Sequence, residues 1–153
     1  MSSLYIIKDM PERFCGIDFG LKKIGVAISS IIRPQIKPIA FNLITLNNQG
    51  FKQTAVRLEK IVLEYQITQF VIGWPTLPNG DEGAQCTLVN NFANKLMNYF
   101  HLPVHKQEEA YSTRMCQQLW DQFGLTAQVK DDFVAMYLLQ SYLDKFLHAP
   151  NTL

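Results

Sequence analysis

Five carboxylates stand where secondary-structure elements begin or end, and their types suggest a chemistry. Asp18 lies in "RFCGIDFGLKKIGVAIS", Glu108 and Glu109 close "LPVHKQEE", and Asp131 and Asp132 precede "FVAMYLLQSYLD". In open α/β sheets, ligand sites gather beyond strand ends. Acids brought together from three such places repel unless a cation sits between them. Oxygen donors without Cys or His select Mg²⁺ or Mn²⁺. A cation held by few carboxylates keeps positions for water and phosphate oxygens, which is what metal-assisted phosphodiester cleavage requires. Each acid also has a plainer reading: a carboxylate at a helix start caps it, and one at a strand end is solvated.

The elements that must position these acids are legible as patterns. "FCGIDF" and "IGVAIS" are apolar runs separated by "GLKK" and read as a β-hairpin. "IKPIAFNLITL" is a third extended run, with Pro38 marking an edge strand or a strand start. From Lys52 to Tyr65 the residues Ala55, Leu58, Val62 and Tyr65 form a helical stripe. "QFVIGW" reads as a buried strand that ends in the loop "GWPTLPNGDEG". A helix follows from Cys86, then a strand in "LPVHKQEE". A short helix in "YSTRMCQQLWDQFG" is predicted to stop at Gly124, and a long helix to begin at the Asp131-Asp132 pair. The order βββ-α-β-α-β-α-α predicts a mixed α/β sheet flanked by helices, in one domain.

Composition narrows the class. The chain has 153 residues, 48% hydrophobic and 18% charged, the balance of a soluble globular protein. No stretch approaches the ~20 apolar residues of a membrane helix, and the N-terminus lacks signal-peptide features, so a cytoplasmic protein is expected. Cys15, Cys86 and Cys116 are far apart and odd in number, which favours buried reduced thiols over a disulfide framework or zinc ribbon. His101 and His105 stand four apart, but Pro103 between them argues for extended chain rather than a metal-binding helix face. Residues 1–60 carry nine Lys or Arg against four Asp or Glu, and residues 61–153 carry five against nine. That asymmetry suits a basic phosphate-tracking surface beside an acidic metal site, or two differently decorated solvated faces.

Four motifs, "GIDFGLKKIGVAIS", "FVIGWPTLPNGDEG", "EEAYST" and "DFVAMYLLQSYLD", occur in the order and at about the spacing of the YqgF (RuvX) family. This family of pre-16S rRNA nucleases is also described as Holliday-junction-resolvase-like, and its fold is RNase H-like. The resemblance runs from about Phe14 to Asp144. It implies one RNase H-like nuclease domain over residues 1–153, with its core at about 14–147 and a five-stranded mixed sheet. It implies that Asp18, Glu109 and Asp132 are the catalytic residues and hold Mg²⁺ or Mn²⁺, and that Lys22 and Lys23 meet backbone phosphates. The implied substrate is RNA, the 16S rRNA precursor, or else branched DNA; a homodimer is a possible assembly.

The chain departs from the family pattern at Ala110, where a basic residue is common, and at Ser30, where an acid is common. The doubled acid leaves Asp131 as a helix cap or an extra ligand. Ser112 and Thr113 read as a helix N-cap, Gly73 and Gly80 as loop geometry, and Trp74 as packing or a base-stacking surface. Two other classes compete. "DFGLKKIG" resembles the first phosphate loop of the actin, Hsp70 and hexokinase superfamily, but one lobe and no Walker A pattern count against an ATPase or kinase. A non-catalytic nucleic-acid-binding protein, acting in transcription or on the ribosome, is the other.

Overall fold

The computed structural model describes residues 11–75, 83–108, 118, 121–122, 124 and 127–147, with side chains from residue 133 onward in the last helix. Three strands open the chain: β1 (Phe14–Phe19), β2 (Lys23–Ser29) and β3 (Ala40–Asn47). Helix α1 (Phe51–Tyr65), strand β4 (Gln69–Trp74), helix α2 (Ala84–Phe100), strand β5 (Val104–Glu108) and helix α3 (Ala127–Phe146) follow. The sheet order is β3-β2-β1-β4-β5. β1, β2 and β3 form an antiparallel meander, whereas β4 and β5 run parallel to β1, giving the expected mixed sheet. Pro38 precedes an edge strand, where a missing N–H costs no ladder bond.

Alternation along the strands splits the core in two. Cys15, Ile17, Ile24, Val26, Phe70 and Ile72 pack with Leu58 of α1 and Leu96 of α2. On the other face, Phe14, Ala27 and Val71 pack under Ala135, Leu138 and Leu139 of α3. β1 is therefore buried on both faces, as the central strand must be. Burial pushes the Cys15 thiol up to about 12, and Cys86 is also a buried free thiol. Cys116 lies outside the described residues.

One helix end differs from sequence expectation, and two others close without glycine. α1 and α2 end on Gln66 and His101 at φ 54° and 55°, left-handed positions taken without glycine. His101 is thus the cap of α2 while His105 lies in β5, so the pair shares no helix face. The last helix begins at Ala127, four residues before the expected acidic start, and no acid lies in its first turn. "AQVK" contains good helix formers and no breaker, so the helix extends back through it. Asp131 is the fifth helical residue and cannot be the N-cap. Most of the short helix read in 111–124 lies outside the described residues, but Gln118, Asp121 and Gln122 are helical and Gly124 has φ 66°, as a helix stop requires.

Candidate metal centre and nucleic-acid interface

Asp18 is the penultimate residue of β1, pairs with Gly25 of β2, and lies half-buried. Strand alternation puts it on the same face as Phe14 and Gly16, the face covered by α3. The glycines on that face explain how α3 sits so close. A Cβ at Gly16 would stand 2.8 Å from Leu139 Cβ and 3.2 Å from the Ala135 carbonyl oxygen. A Cβ at Gly25 would stand 3.4 Å from Ala135 Cβ, 3.5 Å from Asp18 Cβ and 4.0 Å from Asp18 Oδ2. The helix backbone rests on bare strand.

These contacts also fix direction. Leu139 lies over Gly16, and Ala135 over the partner of Asp18, so α3 runs antiparallel to β1 and its earlier turns extend toward the Asp18 end. At about 100° per residue, positions 131 and 132 fall about 40° to one side and about 60° to the other side of Ala135. Both backbone positions flank the sheet-facing stripe, roughly 4.5–6 Å beyond Ala135 along the axis. The expected ligand position, Asp132, is therefore brought to the same end of the same face as Asp18, and position 131 is brought there equally.

Glu108 is separated from Asp18 by the sheet. It pairs with Trp74, which packs into the α1/α2 core cluster, so Glu108 falls on that opposite face. Glu109, Ala110, Ser112, Thr113 and Gly80 lie outside the described residues. Among the described residues no three His, Cys, Asp or Glu side chains form a metal-ligating group. Trp74 is half-buried with the Lys106 ammonium 4.0 Å over its ring, and Lys106 also donates to Asn90 Oδ1 at 3.2 Å. One face of that ring is occupied by a cation.

Lys22 lies in the hairpin bend and Lys23 opens β2; both are exposed. The bend is tight for a steric reason, because a Cβ at Gly20 would stand 2.5 Å from the Lys23 carbonyl oxygen. It is braced by Asn48, whose side-chain amide donates to the Gly20 carbonyl at 2.8 Å and whose backbone N–H donates to the Lys22 carbonyl at 2.9 Å. The two cations thus project from a fixed turn beside Asp18. The role of Gly16 and Gly25 in seating α3 was not read from the sequence, though Gly16 two residues before Asp18 and Gly25 across the hairpin from it carried the signal.

A mixed sheet of this order with helices on both faces is the RNase H-like fold. RuvC of T. thermophilus in complex with Holliday junction substrate superposes with a TM-score of 0.55 at 10% identity, over 92% of this chain and 99% of that one. The fowlpox virus Holliday junction resolvase gives 0.57 at 14% identity, over 88% and 99%. At such identities the likeness is one of fold.

The chain belongs to the RuvX family, described as Holliday junction resolvase, which matches residues 12–145. A Methylobacillus flagellatus protein named "Putative pre-16S rRNA nuclease" is 34% identical over 133 residues, covering 84% of this chain and 88% of its own length. A Streptococcus pyogenes protein of the same name is 32% identical over 143 residues, covering 87% and 98%. Among the described residues no helix is long and apolar enough to cross a membrane.

Proposed function

We propose that the protein is a divalent-metal-dependent endonuclease that hydrolyses phosphodiester bonds in structured RNA, maturing the 5′ end of 16S rRNA from its precursor in the cytoplasm. Family membership and the names of the relatives support the reaction class. The single observation that carries it to residues is the placement of Asp18 at the end of the central strand, paired with Gly25 and on the face covered by α3. The proposed donor set, carboxylate oxygens alone, suits a hard cation. Asp18, Glu109 and Asp132 would hold Mg²⁺ or Mn²⁺. Bound there, the ion would supply charge compensation for the phosphodiester and help activate a water.

The chain's own residues do the rest. β2 and β4 hold β1 on both sides, so the Asp18 carboxylate is presented from a rigid strand. Lys22 and Lys23 meet phosphates flanking the cut and fix the strand's register without reading its bases. Water adds to phosphorus in line with the 3′ oxygen, the P–O3′ bond breaks, and a proton passes from the water to solvent while the 3′ oxygen gains one. The products carry a 5′ phosphate and a 3′ hydroxyl.

The test is cleavage of a labelled 16S rRNA precursor end and of a four-way DNA junction, with Mg²⁺ or Mn²⁺ against EDTA. Asp18→Asn protein runs alongside. We expect metal-dependent cutting of the RNA, abolished by EDTA and reduced by at least about 10³-fold in the variant. Preferential cutting of the junction would move the substrate to branched DNA, the substrate class in the family's description. Equal inactivity of both proteins with retained binding would overturn the enzyme reading in favour of a binding protein.

A further inference from the structure

The turn that joins β1 to β2 carries an apolar side chain where a turn ordinarily carries a polar one. Leu21 is 64% exposed, between Gly20 and the exposed pair Lys22 and Lys23. The other large apolar side chains left exposed among the described residues lie on β3, on the helices, or in the connection from β2 to β3. That connection leaves the end of the sheet opposite Asp18, because β2 runs antiparallel to β1. Leu21 is instead in the turn next to Asp18, three residues further along the chain. Three residues reach at most about 11 Å, roughly the length of three stacked bases.

The turn is built to hold Leu21 out. Bare backbone at Gly20 lies against Lys23, where an added Cβ would stand 2.5 Å from the carbonyl oxygen. Asn48 ties down the chain on either side of the leucine. Its side-chain amide donates to the Gly20 carbonyl at 2.8 Å, and its backbone N–H donates to the Lys22 carbonyl at 2.9 Å. The residues before and after Leu21 are thus fixed to one outside position, and the leucine is presented at the apex. A single exposed leucine on an ordinary surface needs no explanation. This one stands on a braced turn, beside two cations, at the strand end that carries Asp18.

The chemistry of the turn divides between two kinds of contact. Ammonium groups meet phosphates and position a strand without reading it. A leucyl side chain has nothing to offer a phosphate. On a nucleic acid its partner is the apolar face of a base, which is uncovered when two stacked bases part. Apolar side chains, leucine among them, open base steps in this way. We infer that Leu21 is a wedge that enters a base step next to the bond that is cut, while Lys22 and Lys23 hold the flanking phosphates. Parting a step costs least where pairing already ends, so the wedge selects the boundary between a duplex and an unpaired strand. The inference rests on the nuclease reading and deepens it by naming the structure in the substrate.

The experiment uses full-length protein and the precursor-end RNA, once wild type has located the cut. The fluorescent base 2-aminopurine, which brightens when it unstacks, replaces in turn each base within about three steps of that bond. Binding is followed in the Asp18→Asn background, so that the RNA stays intact, with Leu21→Ser, Leu21→Met or Lys22→Gln/Lys23→Gln added. We expect Asp18→Asn protein to brighten one of these probes several-fold. Leu21→Ser should abolish the rise while affinity changes by less than about threefold, and Leu21→Met should restore it. The lysine pair should do the reverse: binding roughly tenfold weaker, a salt slope shallower by about two, and the rise kept at saturation. With Asp18 intact, Leu21→Ser should lower kcat about tenfold with little change in KM. An unchanged rise and unchanged turnover in Leu21→Ser overturn the wedge and leave the nuclease reading standing. A rise lost together with a lowered Tm, and not restored by methionine, makes Leu21 a structural residue and also overturns the wedge. Wild type that neither cuts nor binds RNA or a four-way junction overturns the nuclease reading instead.

Discussion

Replacing Gly16 or Gly25 by alanine separates two jobs done by bare backbone under α3. At Gly16 the new methyl would stand 2.8 Å from Leu139 Cβ, whereas relaxed carbon contacts lie at about 3.5–4.0 Å. The helix or the strand must shift by roughly 1 Å, and overpacking of that kind costs about 1–3 kcal/mol. Restricting the unfolded chain returns about 0.5–1 kcal/mol. A net loss of about 1–2 kcal/mol lowers Tm by roughly 2–8 °C in a chain of this size. Because α3 carries positions 131 and 132, the same 1 Å should cost the cleavage reaction up to about 100-fold.

At Gly25 the methyl would meet Ala135 Cβ at 3.4 Å and Asp18 Cβ at 3.5 Å, within ordinary contact distance, so stability should change by less than about 1 kcal/mol. It would nevertheless stand 4.0 Å from Asp18 Oδ2, and turnover should fall about tenfold or more. Thermal unfolding and kcat/KM of both variants read the two effects. Gly16→Ala with wild-type Tm and turnover would refute the seating of α3 on bare strand. Gly25→Ala with wild-type turnover would refute a need for bare backbone beside Asp18.

Two further predictions concern groups away from that end. His105 accepts or donates to Gln69 at 2.5 Å and stacks on Tyr142 at 5.2 Å; burial lowers its pKa from 6.5, against the opposing pull of the Glu12 carboxylate. The unfolded chain then binds the proton more readily, so stability is full above 6.5 and is lost as pH falls through 6.5 toward the folded value. Wild type should lose more Tm than His105→Phe between about pH 7.5 and about pH 5.5; equal losses would remove His105 as the source. Cys15, fully buried with its thiol pushed up to about 12, should resist alkylation at about pH 8 until the chain unfolds. Peptide mass spectrometry of iodoacetamide-treated native protein checks this, and rapid labelling of Cys15 would contradict the packing of β1.

Local pattern was enough for most of the fold. "FCGIDF" and "QFVIGW" coincide with β1 and β4, because a short apolar run between turn signals has few other options. The start of α3 was misplaced because the Asp131-Asp132 pair looks like a dipole-matched first turn, whereas "AQVK" carries no signal beyond its propensity. The left-handed ends at Gln66 and His101 were unreadable for a related reason: neither is glycine. Of the expected metal ligands, Asp18 and the backbone at position 132 come to one end of one face, while Glu109 lies outside the described residues.

The sequence by itself determined residue type and local periodicity: where strands and helices lie, which acids end them, and which family motif they belong to. Sheet order, register and the closeness of α3 were decided only in three dimensions, because they depend on contacts between residues far apart in the chain. Gly16 under Leu139 and Gly25 beside Asp18 are such contacts, and so is the parity that sends Glu108 to the face away from Asp18.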